Sequence, residues 1–359
     1  MLVNKKQFIE EIKDVINAAG KGAQNRDNSL SFSKAKDRHF ISTSNDFISI
    51  IRKSSIAFED NFSVRLEELY NVLKNVSAAE VELNYTGSSL SLETATSTTH
   101  VKTLPTINYF AQNVVIGGEW NKLPSDFFEK AELCSKVVAK DAFISELLKY
   151  VYVDGNTMVG ADGNQLFHAK LDGEVNKLFL HGAYVKELAK LKLTHYVVRD
   201  GWIQFCKDSN LLYAVRTIHD SERYPFIVTK SDYSEDELSR RASLMVENII
   251  KVKGTEMEFS DKKELLKEVE SCRAFTKNEK DNIHSIHITN DTLIIEGSGA
   301  YGSHSQRFPI TSDREFSFKI HPYILASVLR GDCSKVSVND NALYIVSDFG
   351  THVISLIKG

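Results

Sequence analysis

The closing stretch of the chain, FKIHPYILASVLRGDCSKVSVNDNALYIVSDFGTHVISLIKG (318–359), contains a short helical pattern followed by alternating residues. Ile324, Leu325 and Val328 recur at helical spacing, and the residues on both sides of the turn at 339–341 alternate between apolar and polar. Because apolar residues recur with a period of about 3.6 in a helix and 2 in a strand, this stretch predicts a helix followed by antiparallel strands.

The same order of patterns occurs twice more upstream, at 62–104 and at 177–218. Each copy begins with a short alternating strand, continues with a helix and ends with strands around a polar turn. The helical residues are Leu66, Leu69 and Leu73 in the first copy and Val185, Leu188 and Leu191 in the second. The turns are 85–87, 199–201 and 339–341, and they contain the Gly and Asn residues that tolerate positive φ.

The segments between these copies also match one another. Residues 5–19, 124–139 and 260–273 predict amphipathic helices, and a hairpin pattern follows each of them. Ser125 and Ser260 precede acids of the next turn, so we predict them as helix N-caps. The chain therefore reads as an α+β protein built from three tandem copies of one unit, which we place at 1–117, 118–231 and 232–359.

The packing of such a unit follows from its pattern. The apolar stripes of its two helices must pack on antiparallel sheets, which leaves the polar helix faces on a common surface. We expect open sheet edges to pair between neighbouring units, since unpaired edges favour aggregation.

Composition limits the class of protein. The 359 residues are 42% hydrophobic and 26% charged, with a formal net charge of −4, as in an ordinary globular protein. No apolar run is long enough to cross a membrane, and the first residues do not resemble a signal peptide. The four cysteines are far apart, which indicates reduced thiols and a cytoplasmic location.

Motifs for catalysis are not evident in the sequence. It contains no phosphate-binding glycine loop, zinc-protease motif or nucleophile elbow. His284 and His287 would point to opposite faces of a strand, so we do not expect them to share a metal ion. We predict no enzyme activity, no metal and no cofactor.

Three further stretches resemble the bacterial DNA polymerase III beta subunit, the sliding clamp or processivity factor of replication. They are ADGNQL (161–166), LLYAVRTIHDSERYPFIV (211–228) and FSFKIHPYILASVLRGDCSKVSV (316–338), and they occur in the family's order across the chain. Asn164 and Gln165 stand where the family usually has His and Arg, and the last four residues differ from the family's usual ending. These departures favour a viral or mobile-element origin.

The resemblance implies a function. The family forms a homodimeric ring with its helices inside and its sheets outside. The ring encircles double-stranded DNA without sequence preference and tethers a DNA polymerase. Polymerase and clamp loader bind the ring through short apolar peptide motifs.

A ring that slides on DNA needs basic residues that meet phosphates. The polar helix faces and the loops beside them provide the candidates Lys21, Arg26, Lys74, Lys136, Lys140, Lys190, Lys267, Arg273 and Lys277. The same lysines also fit a solvated helix face that pairs with Glu10, Glu11, Glu187 and Glu268.

For the partner peptide, the resemblance implies a pocket between the middle and last domains. The corresponding positions are Leu166, Pro225, Val353, Ile354, Leu356 and Ile357. The terminal residues also fit the last strand of a sheet, in which alternation sends only half of them to one face.

Two other functions fit the sequence. One is a non-catalytic structural or interaction protein that uses the same fold without encircling DNA. The other is an enzyme whose site is assembled from scattered carboxylates.

Overall fold

The structure is a computed structural model that describes nineteen parts of the chain. These are residues 1–16, 28–35, 37–45, 47–104, 119–140, 146–199, 201–208, 210–218, 224, 246–251, 254–259, 262–276, 284–289, 291–300, 302–312, 314–321, 325–326, 329–330 and 335–356. The chain divides into two compact units, one of Met1–Ser125 with Lys186–Asp220, the other of Asp126–Val185 with Ser221–Gly359. The boundaries at 117 and 231 stay a prediction.

The first unit contains one antiparallel sheet of twelve strands in the order β1-β6-β7-β8-β5-β2-β3-β4-β14-β13-β12-β9. Strands are numbered along the whole chain: β1 (Leu2–Asn4), β2 (Ser29–Ala35), β3 (Arg38–Ser44), β4 (Ile48–Lys53), β5 (Phe62–Arg65), β6 (Glu80–Tyr85), β7 (Ser89–Glu93), β8 (Thr98–Leu104), β9 (Asn121–Lys122), β12 (His195–Arg199), β13 (Trp202–Asp208) and β14 (Leu211–Arg216).

Two helices, α1 (Lys5–Val15) and α2 (Leu66–Asn75), pack on this sheet and on each other. Phe8, Ile12 and Val15 form the buried stripe of α1, and Asn4 caps its start by accepting a hydrogen bond from the amide of Gln7. Leu66, Leu69 and Leu73 are buried on α2, as their spacing predicted.

The second unit contains one antiparallel sheet of ten strands in the order β10-β11-β22-β21-β20-β15-β18-β17-β16-β19. The strands are β10 (Tyr150–Ala161), β11 (Gln165–His181), β15 (Thr255–Phe259), β16 (His284–Ile288), β17 (Thr292–Gly299), β18 (Gly302–Ser312), β19 (Phe316–Ile320), β20 (Lys335–Val338), β21 (Ala342–Ser347) and β22 (Gly350–Ser355).

The helices of this unit are α3 (Phe127–Lys136), α5 (Val246–Lys251) and α6 (Lys262–Thr276), and residues 325–326 and 329 are also helical. A further helix, α4 (Gly182–Lys190), is divided between the two units after Val185. The main core of the second unit lies between α6 and the strands, where Leu265, Val269 and Cys272 pack on Ile295 and Phe308.

Strand pairing joins distant parts of the chain within each unit. In the first unit, β4 pairs with β14, and Ile50 lies opposite Tyr213. In the second unit, β11 pairs with β22, and Leu166 lies opposite Val353. Residues that are more than 150 positions apart therefore share each sheet.

The predicted turns are also present. Gly87 has a φ of +85° between β6 and β7, and Gly201 has a φ of +77° between β12 and β13. Before β21, the Asn339 carboxamide oxygen accepts hydrogen bonds from the amides of Asn341 and Ala342, at 2.9 and 2.8 Å.

The prediction of Ser125 as the N-cap of α3 is wrong, because Asp126 occupies that position. The Asp126 carboxylate binds the Lys130 ammonium at 2.5 Å and accepts the amide of Asp172 at 3.1 Å. This carboxylate therefore connects the start of α3 to β11. Ser260 lies outside the described residues.

None of the helices in the described residues is long and apolar enough to span a membrane.

Candidate nucleic-acid and peptide interfaces

The six helices α1 to α6 each have a basic residue in the last turn. These residues are, in order, Lys13, Lys74, Lys136, Lys190, Lys251 and Arg273. A cation at this end stabilises a helix because the unpaired carbonyl groups there carry partial negative charge. The same side chains are available for phosphate contacts wherever they are exposed.

The environments of these basic residues differ. Lys74 is exposed, and its ammonium lies 4.9 Å from the centre of the Tyr70 ring. Lys190 is exposed, but its ammonium lies 2.8 Å from the Glu187 carboxylate. This ion pair was predicted for a solvated helix face. Lys136, Lys140 and Lys267 are exposed, and none of them forms an ion pair within the described residues. The charges of these three lysines are therefore not neutralised by a carboxylate in this part of the chain.

Arg273 is half-buried near the end of α6. Burial lowers the pKa of His321, and the nearby Arg273 charge lowers it further. Arg273 therefore belongs to a packed polar region of the second unit. Lys21, Arg26 and Lys277 lie outside the described residues, so their role in DNA binding stays a prediction.

Two of the predicted acidic partners have other roles. Glu11 is only 2% exposed and accepts hydrogen bonds from the Ser54 and Ser55 hydroxyl groups at 2.8 and 2.7 Å. Glu268 binds the imidazole of His304 at 3.0 Å. These carboxylates hold strands and loops to their helices, and neither pairs with a lysine in the described parts of the chain.

The exposed helix faces carry both signs of charge. Glu67 and Glu68 are exposed in the first turn of α2, and Glu10 pairs with Lys13 at 2.7 Å on α1. The basic residues are therefore part of mixed surfaces, and helix composition alone does not produce a uniformly positive wall.

Two of the predicted pocket residues come together on one face of the second sheet. Leu166 on β11, Val353 on β22 and Tyr344 on β21 lie directly opposite one another in adjacent strands. Residues opposite one another in antiparallel strands point to the same face. Together with Ala342, they form an apolar row, which we call the outer row.

The neighbouring pocket candidates point the other way. Ile354 is completely buried in the main core, and Leu356 is in the same cluster. Strand alternation explains this placement, because Ile354 follows Val353 directly. Pro225 and Ile357 lie outside the described residues.

Three residues of the outer row are covered by α5. Ile249 and Ile250 pack on the cluster of Ala342, Tyr344 and Val353. This contact was not predicted from the sequence, although Val246, Ile249 and Ile250 have the spacing of an apolar helix face. Tyr344 was also missed, and strand alternation relative to Leu343 would have indicated it.

The signature at 161–166 forms a turn that leads into β11. The Asp162 carboxylate accepts the amides of Asn164 and Gln165 at 2.9 and 3.0 Å, and Gly163 adopts a φ of +95°. The Gln165 carboxamide donates to Asp162 at 2.9 Å and lies 3.1 Å from His352 on β22. These contacts fix the turn beside the last strand.

The two histidines of the HSIH stretch lie on strand β16, as predicted. His287 lies 2.8 Å from the Ser317 hydroxyl and 3.5 Å from the Glu296 carboxylate. Among the described residues, no group of three or more His, Cys, Asp or Glu side chains is arranged to hold a metal ion.

The fold matches known structures over its full length. The DNA polymerase III subunit beta from Pseudomonas aeruginosa has a TM-score of 0.79 and 13% identity, and 100% of both chains is covered. The beta chain from Streptococcus pneumoniae has a TM-score of 0.78 and 12% identity, with 100% of this chain and 99% of that chain covered. The beta subunit from Thermotoga maritima has a TM-score of 0.72 and 14% identity, with the same coverage.

The chain therefore has the sliding-clamp fold. No protein-family model matches it, and no curated protein matches it in sequence. The likeness is carried by the order and pairing of the elements and hardly by residue identity.

Proposed function

We propose that the chain is a DNA sliding clamp, which closes with a second copy into a ring around duplex DNA and tethers a replicative polymerase. The observation that carries this proposal is the match to DNA polymerase III beta subunits over 100% of the chain. The role is mechanical and needs no catalytic group. We also propose the three clamp domains at 1–117, 118–231 and 232–359 and a cytoplasmic location.

DNA binding in this proposal is electrostatic and independent of sequence. Lys136, Lys140 and Lys267 are exposed and have no ion pair in the described parts of the chain. Lysines of this kind bind phosphates as point charges and release counterions, so affinity falls with salt. Lys74, Lys190, Arg273 and the loop residues Lys21, Arg26 and Lys277 complete the proposed set.

Ring closure in this proposal uses two open strand edges. Residues 98–102 of β8 pair only with β7, and residues 302–309 of β18 pair only with β17, as far as the structure describes strands. An open edge is a template for pairing with another chain. Contact between β8 of one copy and β18 of the other is head to tail, and two such contacts close a two-membered ring.

Partner binding in this proposal uses the outer row. A short apolar peptide of a polymerase or clamp loader would contact Leu166 and Val353, which share that face. One relative, a clamp from Pseudomonas aeruginosa, is described as bound to griselimycin. Pro225 and Ile357 are further candidates for this surface.

Light scattering on the purified protein tests the assembly. A ring of two copies has a mass of about 81 kDa, which is twice the 40.4 kDa of one chain. The proposal predicts this mass at micromolar concentration and in the presence of circular DNA. A mass of one chain under both conditions would contradict it.

The mixed charge of the helix faces favours one alternative, a non-catalytic assembly protein that does not encircle DNA. Such a protein would dimerise without any salt-dependent affinity for duplex DNA. Measuring DNA affinity at several salt concentrations separates the two functions.

A further inference from the structure

Three residues of the outer row, Val353 among them, already have an occupant in this chain. Helix α5 places Ile249 and Ile250 on Ala342, Tyr344 and Val353, and all three of these sheet residues are less than 9% exposed. A partner peptide that binds the same face must therefore compete with α5. The outer row is the face to which the proposed function assigns the partner peptide, so this inference rests on that proposal.

We infer that α5 is a displaceable cover, an autoinhibitory contact that must open before an apolar peptide can bind the outer row. The helix is only six residues long. Isolated helices of this length are not stable in water, because nucleation is costly and few hydrogen bonds follow it. Helix α5 therefore depends on contacts with other parts of the chain, among them its contact with the sheet.

The contact itself is limited. Val246, Ile249 and Ile250 are spaced so that they share one helix face, but only Val246 is fully buried, at 2% exposed. Both isoleucines remain half-buried on the sheet. A contact of this size opens at a much lower cost than unfolding of the whole unit.

The cluster under α5 is separate from the main core. Ala342, Tyr344 and Val353 form their own group, whereas Leu343, Ile345 and Ile354 on the same strands belong to the main core on the opposite face. Lifting α5 exposes one face of β21 and β22 and leaves the packing of the other face unchanged. The strands can therefore remain paired while the outer row becomes available.

The cover also indicates what the outer row accepts. It accommodates a short helical segment with apolar residues at positions i, i+3 and i+4, here within the sequence VENIIK. A partner segment with a similar apolar face can replace α5, whereas an acidic or flexible polar peptide cannot provide this contact.

The test uses the full chain and a fluorescein-labelled peptide of residues 243–251, SLMVENIIK, as the probe. The double variant Ile249→Asp, Ile250→Asp uncovers the outer row, and Asn248→Asp adds one charge at an exposed position of α5 as the matched control. In the wild type, the tethered α5 competes at an effective concentration of about millimolar. We expect the double variant to bind the probe at least about tenfold more tightly than the wild type and the control do.

Equal affinity in all three proteins, or no binding to any of them, would overturn the inference. The variant Ile249→Ala, Ile250→Ala provides a milder change and should give an intermediate affinity. Amide hydrogen exchange of the wild type gives an independent measurement: we expect residues 246–251 to exchange at least about tenfold faster than β22. Equal protection of both segments would show that α5 is an integral part of the fold.

These measurements use neither DNA nor polymerase. They can therefore contradict the role of α5 as a cover without contradicting the ring proposal. They can equally support the cover if the ring proposal is wrong.

Discussion

Gln165 and His352 are 187 positions apart, and the carboxamide oxygen of Gln165 lies 3.1 Å from Nε2 of His352. His352 is 8% exposed on β22, and its ring stands edge-on to Phe167 at 5.9 Å. Burial lowers the pKa of His352 to about 4. A neutral imidazole that donates from Nε2 to the Gln165 oxygen links β22 to the start of β11.

The first prediction concerns how the free energy of unfolding depends on pH. His352 titrates near 6.5 when unfolded and near 4 when folded, so the unfolded state binds more protons between these values. Stability is therefore complete above about pH 6.5 and falls as the pH drops towards 4, by about 3 kcal/mol for this group. Urea unfolding at several pH values measures this loss.

His352→Leu removes the titration and should flatten this pH dependence. A smaller slope should remain, since burial lowers the pKa values of His181 and His321 in the same direction. His100→Leu, at an exposed position on β8, is the matched control. An unchanged slope in His352→Leu would show that His352 does not control acid stability.

The second prediction concerns the buried Glu11. Its carboxylate accepts hydrogen bonds from the hydroxyl groups of Ser54 and Ser55 and from the amide of Ser55. Glu11→Leu leaves these donors unpaired, and we expect a loss of about 3 kcal/mol in the free energy of unfolding. Glu10→Leu, one position earlier and exposed, should leave stability almost unchanged. Similar losses in both variants would contradict the assigned role of Glu11.

The third prediction concerns DNA affinity. Neutralising Lys21, Arg26 and Lys140 together should weaken duplex binding and reduce the slope of log affinity against log salt by about 2.7, because each phosphate contact contributes about 0.9. Fluorescence anisotropy with a labelled duplex at several salt concentrations gives the slope.

The matched control neutralises three exposed lysines on strands, Lys122, Lys170 and Lys319. This control changes the net charge by the same amount as the test variant. A difference between the two variants is therefore due to local phosphate contacts and not to the total charge. Equal slopes in the two triple variants would remove Lys21, Arg26 and Lys140 from the interface.

Much of the fold could be predicted from the sequence, because helical and strand periods are local properties. The buried stripe Leu66, Leu69 and Leu73 is an example, and the repeat of such patterns indicated pairing between copies. The pairing partner of a strand is not local, so the alignment of Leu166 with Val353 and Tyr344 required the structure.

The candidate sites were less predictable for physical reasons. A glutamate on an amphipathic helix has the same pattern whether it faces water or a buried pair of hydroxyl groups, and Glu11 faces the hydroxyl groups. Strand alternation predicted that neighbouring residues of the last strand lie on opposite faces of the sheet. It could not show that Ile354 faces the core and Val353 faces α5. That assignment depends on which helices cover the two faces.

If two copies of the chain enclose duplex DNA, the protein can leave the DNA only over a free end, and a topological release experiment measures this. The protein is mixed with linear duplex DNA, the ends are ligated into a circle, and the DNA is washed at high salt to remove electrostatic binding. We expect the protein to stay on the circle and to be released when a restriction enzyme cuts the DNA. Loss of the protein from intact circles in the salt wash, or retention after cutting, would contradict it.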